Sequence, residues 1–130
     1  EPQPHGWERV ESRIELLTEH APGLLGLEGF THVMVVCWLH LVPPELRQVE
    51  QAPVAPKLPA VGTFATRSQR RPNPLAVTAA QVLSVSVGDG TLIVRGLDAV
   101  DGTPVLDLKP YLPPYDSHPK ADMPRWVWGK

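Results

Sequence analysis

The chain has 130 residues, 42% of them hydrophobic and 20% charged, which is enough for one buried core and too little for two. Its net charge of −2 excludes a globally basic surface, so any nucleic-acid contact has to come from a local patch or an assembled dimer. Cys37 is the single cysteine, which excludes an intrachain disulfide and points to a reducing, cytoplasmic setting; neither a long apolar run nor a signal-peptide pattern appears, so no membrane partner is expected.

The 16 prolines argue against long helices and central strands wherever they fall. Glu1 to Glu11 is polar and reads as a loop or arm. Ser12 to Leu17 reads as a short strand with Ile14 and Leu16 on one face. Pro22-Gly23 opens at most a helical turn, closed by Gly29. Phe30 to Leu41 is the strongest strand signal, apolar on both faces as a central stave would be. His32, Met34, Val36, Trp38 and His40 share one face, and Val33, Val35, Cys37 and Leu39 the other.

Val42 to Pro59 is a long proline-bearing loop. Val61 to Thr66 reads as a strand running into a basic, proline-locked turn, Arg67 to Pro74. Leu75 to Val87 returns to apolar and β-branched residues, Gly88-Asp89-Gly90 is a hairpin turn, and Thr91 to Leu97 is the returning strand. Ala99 to Gly102 turns again, Val105 to Leu108 is a last short strand, and Lys109 to Lys130 is a proline-rich tail. Roughly six short strands with turn signals predict an all-β chain, a small barrel or sandwich, with short helical turns and proline-rich loops.

Three segments could carry chemistry. Ala65 to Pro74 places three arginines within five residues beside two prolines. Arginine offers a planar fork for carboxylate or phosphate, although most charge runs simply face water. Asp98, Asp101 and Asp107 fall close together, with Asp101-Gly102 reading as a turn; no zinc-ligand spacing accompanies them, so no metal is expected. His32 and His40 lie ~26 Å apart if the strand is extended, too far to share a ligand. No nucleophile elbow, phosphate loop or dinucleotide fingerprint is present.

V-G-T-F-A-T-R-S-x-x-R-P-N-P (Val61 to Pro74) and L-D-x-V-D-G-T-P-V-L-D-L-K-P-Y-L-P (Leu97 to Pro113) resemble the two signature segments of the TsaA/TrmO family (YaeB/VirR-type). The segment from Gly23 to His32 and the W-L-H of Trp38 to His40 fit the same template, so the resemblance spans Gln3 to Asp116. It implies a single β-barrel domain over 1–130 that binds S-adenosylmethionine as a homodimer, with the cofactor pocket near the subunit interface. It also implies methyl transfer to N6 of threonylcarbamoyladenosine in tRNA. Carried over by position, the cofactor contacts are Gln3, Pro4, His40, Leu41, Arg67, Val77, Arg95, Gly96, Leu97 and Asp98. Arg70, Arg71 and Lys109 are the candidates for RNA phosphates, and no catalytic base is assigned. Leu75-Ala76 stands where the family has Ile-Gly; the family's opening I-G-x-I-x-S-P strand would precede Glu1, and the C-terminal domain of many bacterial members would follow Lys130. Two other readings stay open: transfer to a small molecule on the same barrel, and a non-catalytic module that binds the cofactor.

Overall fold

The computed structural model describes residues 9–51 and 59–128. Among them are seven strands: β1 (Glu11–Glu15), β2 (His32–Trp38), β3 (Glu50–Gln51), β4 (Val61–Gly62), β5 (Leu75–Ser86), β6 (Thr91–Arg95) and β7 (Val105–Pro110). Five of them form one antiparallel sheet in the order β1-β6-β5-β2-β7, and β3 and β4 make a separate two-stranded pair. Connections are short turns of 3-10 helix at Thr18–Leu24, Leu27–Gly29, Pro44–Leu46 and Thr63–Ala65, with two four-residue helices, α1 (Pro113–Asp116) and α2 (Arg125–Trp128), after the last strand.

Alternation in β2 decides which side is inside. Val33 and Val35 are fully buried and Cys37 nearly so, while Met34, Val36 and Trp38 are half-buried on the opposite face. The inner face joins Ile14, Ala80, Leu92, Val94 and Leu97, with Leu24 contributed by the first 3-10 turn. Burying such side chains stabilises a chain by ~1.5–3 kcal/mol each before conformational entropy is counted. The hairpin from β5 to β6 turns at Gly90, whose φ of 65° favours glycine. Its carbonyl also accepts the Leu16 N–H at 2.8 Å, tying β1's exit to the same turn.

Several sequence expectations need correction in detail. Val61 to Thr66 is not one strand. Only Val61–Gly62 pairs, because the Thr63 N–H donates to the Val49 carbonyl and the Thr66 hydroxyl donates back to the Thr63 carbonyl, curling the chain into a turn. The strongest strand stops at Trp38 rather than Leu41: the Leu39 N–H still donates to its register partner Pro74, but a proline has no N–H to return the bond and the ladder ends there. The expected all-β chain is present, but the sheet is not closed into a barrel among the described residues. β1 and β7 are its edges, and both contribute to the lining of one cleft of about 640 Å³. The β7 edge is blunted: the Leu108 N–H is taken by Asp107 Oδ1 at 2.8 Å, and Pro110 has no N–H.

Candidate functional site

The basic bend that precedes β5 is held by its own short polar side chains. Thr63 is fully buried; its hydroxyl donates to the Arg70 carbonyl at 3.4 Å. The Ser68 N–H donates to Thr66 Oγ1 and the Arg70 N–H to Ser68 Oγ. Arg71 closes the bend from inside, with Nη1 donating to the carbonyls of Thr66 at 3.1 Å and Ser68 at 2.8 Å. Two of the three arginines, Arg67 and Arg70, are left on the outside and exposed. Arg67 forms no ion pair among the described residues, so its fork is available to an anionic ligand.

The Leu39 N–H donates to the Pro74 carbonyl at 2.7 Å, which brings His40 and Leu41 to the arginine bend. Leu41, Val42, Pro43 and Leu46 share a small cavity of about 110 Å³ with Gln69 and Arg70. Arg47 follows, its guanidinium carbon 5.1 Å from the Trp38 ring centroid, a cation–π stack that fixes the loop against the end of β2. Its Nε is buried without a hydrogen-bond partner among the described residues. Val77 stands opposite Val36 on the outer face of the sheet, beside Leu75 and Ala79.

The second predicted segment lies elsewhere in the chain's fold. Arg95 ends β6 opposite Gln81 and pairs with Glu11 at 3.1 Å. Gly96 adopts a φ of 89° and donates its N–H to the Val10 carbonyl at 3.0 Å. Leu97 is buried in the core and Asp98 is half-buried beyond it. Leu97 also lines the 640 Å³ cleft, but His40, Leu41, Arg67 and Val77 do not. Gln3 and Pro4 lie outside the described residues. Of the candidate phosphate contacts, Arg70 is exposed, Arg71 is committed to its bend, and Lys109 pairs with Asp107 at 3.1 Å on the outer face. The hydrogen bond from Lys109, helped by the Leu108 N–H, holds the Asp107 carboxyl below the usual aspartate range, whereas burial pushes the Cys37 thiol up.

Reading the bend as a strand hid one residue. In the turn that forms instead, Phe64 is 80% exposed. The turn expected at Asp101-Gly102 is present: the Thr103 N–H and hydroxyl both donate to the Val100 carbonyl, and Gly102 takes a φ of 85°. Among the described residues no group of three or more His, Cys, Asp or Glu side chains could hold a metal, and no helix is long and apolar enough to cross a membrane.

The profile of the tRNA-methyltransferase O N-terminal domain matches residues 2–117. The chain belongs to the tRNA-methyltransferase O N-terminal domain family. Within this family it is 40% identical, over 82% of its length and 74% of the relative's, to a probable S-adenosyl-L-methionine-binding protein of Methanothermobacter thermautotrophicus. It is 37% identical to the human tRNA (adenine(37)-N6)-methyltransferase, covering 84% of this chain and 24% of that enzyme. The crystal structure of TrmO from Pseudomonas aeruginosa superimposes with a TM-score of 0.70 at 30% identity, over 89% of this chain and 48% of that one. The chain thus spans about three quarters of the archaeal family member but about half of the bacterial one and a quarter of the human one.

Proposed function

We propose that this protein is an S-adenosylmethionine-dependent methyltransferase that methylates N6 of threonylcarbamoyladenosine in tRNA, working in the cytoplasm as a homodimer of single β-barrel domains. The observation that carries the reading is the locked bend: a family signature segment is cross-braced by Thr63, Thr66, Ser68 and Arg71, leaves Arg67 exposed, and shares a small cavity with Leu41 through Gln69 and Arg70. The residues fit the cofactor chemically. Arg67 would take its carboxylate, Asp98 would accept from its ribose or amine, and Leu41 and Val77, both exposed and apolar, would cover its adenine. S-adenosylmethionine supplies an electrophilic methyl group. The protein's contribution is alignment, and effective molarities of ~10⁵ M or more are reached by well-oriented pairs.

A second copy is supported by where these groups lie. Ligand pockets for a molecule this size occupy ~300–1,000 Å³. The cavity at Leu41 and Arg70 is about 110 Å³, and the larger cleft lacks the arginine bend. A partner subunit laid over the outer face would wall the missing side.

Calorimetry with S-adenosylmethionine, followed by transfer of labelled methyl groups to tRNA with and without threonylcarbamoyladenosine, tests the reading. Binding and labelling only of the modified tRNA are expected. Binding without labelling would leave the small-molecule transferase or the binding module, and no binding would overturn all three. Arg67→Ala should weaken cofactor binding by ~1.5–3 kcal/mol, the loss of a charge-assisted bond, and unchanged affinity would remove Arg67 from the pocket.

A further inference from the structure

We infer that Phe64 is a stacking platform for an unpaired RNA base, an inference that rests on the RNA substrate proposed above. Single apolar residues on a surface are ordinary. Phe64 differs in how firmly it is presented. The residue before it, Thr63, is completely buried and anchored through its N–H to Val49 and through its hydroxyl to Arg70. The residues after it are cross-braced by the Thr66 and Ser68 hydroxyls and the Arg71 guanidinium. The phenyl group between these anchors is 80% exposed, more than any other large hydrophobic side chain among the described residues. A rigid backbone presenting a bare aromatic ring resembles a binding surface already organised for its ligand.

The surroundings favour RNA over other occupants. Phe64 lines neither the 110 Å³ nor the 640 Å³ cavity, and a free cofactor needs a pocket that buries most of its surface. A base belonging to a longer RNA needs only an open π-face, because the flanking phosphates supply the rest of the affinity. Arg67 and Arg70 are exposed within six residues of the ring, on a chain whose net charge is −2. A second copy of the chain meeting this bend about a two-fold axis would set those arginines against their own counterparts.

The test measures binding of a tRNA transcript to the full chain across a salt series, with S-adenosylmethionine affinity and sedimentation measured in parallel. Phe64→Ala and Phe64→Leu should each weaken RNA binding about 5- to 150-fold, the range for loss of one stacked base. Phe64→Tyr should bind as the parent does, with the same salt slope, since stacking releases no counterions. Phe64→Leu binding as tightly as Phe64 would overturn the platform, because apolar area without a π-face would then suffice. An equal loss of cofactor affinity would move the ring to the cofactor pocket, and a changed sedimentation coefficient would give it to a second subunit; either result overturns the inference. A parent chain that binds no tRNA would instead overturn the proposed function, and the platform with it.

Discussion

Arg71 shows how one side chain can be basic and still not serve a ligand directly. Its Nη1 reaches two carbonyls of its own bend, Thr66 and Ser68, so its charge is turned inward and half-buried. Its role is to hold Arg67 and Phe64 where they are. Removing it would leave two carbonyls without their donor, each such loss costing ~1–3 kcal/mol where the group is shielded from water. Arg71→Ala is therefore expected to lower stability by ~1–3 kcal/mol in urea denaturation and to weaken cofactor and RNA binding together. Arg71→Lys should recover only part of the stability, since an ammonium cannot reproduce the planar fork. A variant with unchanged stability and a loss confined to RNA would return Arg71 to the role of phosphate contact expected from the sequence.

The turn that joins β5 to β6 is sensitive to a single methyl. At Gly90 a Cβ would lie 3.2 Å from the Ala21 Cβ and 3.4 Å from the Leu16 carbonyl oxygen, on a backbone with φ of 65°. Gly90→Ala thus combines a left-handed backbone penalty of ~1–2 kcal/mol with a contact that must shift. It should lower the unfolding midpoint without changing the slope against urea, whereas Gly88→Ala, where nothing lies within 4 Å, should be close to neutral. This hairpin was legible in the sequence because G-D-G between two β-branched runs is a local signal. So was β2, whose buried side Val33, Val35 and Cys37 share by period-two alternation. The break after Gly62 was not legible. Val61 to Thr66 has strand composition, and it curls only because Val49, from another segment, accepts the Thr63 N–H. The pairing of Arg95 with Glu11 was hidden for the same reason: the two residues are 84 positions apart in the chain, and no local pattern announces the contact. The cofactor residues came from motif resemblance alone, which orders them along the chain but says nothing about which face of the sheet each occupies.

At the scale of the molecule, the homodimer proposed above has two candidate surfaces. One is the open edge of β1, whose outward side chains Glu11, Arg13 and Glu15 are charged, with Arg13 and Glu15 paired at 3.1 Å. Charged side chains along an edge discourage strand-to-strand addition. The other is the outer face of β2 and β5, where Met34, Val36, Trp38, Leu75, Val77 and Ala79 are neighbours by register, with Leu75 42% and Val77 44% exposed. An apolar sheet face of that kind is what an obligate interface covers, commonly ~800 Å² or more per partner. Leu75 belongs to none of the proposed ligand contacts, so it separates assembly from binding. Leu75→Glu would place a charge at the Trp38 end of this apolar patch, where a covering partner would have to desolvate it at a cost of several kcal/mol. The parent chain should sediment as a dimer and Leu75→Glu as a monomer at the same concentration. If the cofactor pocket is completed by the partner, the variant should also lose S-adenosylmethionine binding, and the cofactor should shift the parent's dissociation to lower protein concentration by mass action. A monomeric Leu75→Glu that binds the cofactor with parental affinity would place the whole pocket within one subunit, and a Leu75→Glu that stays dimeric would move the interface away from this face.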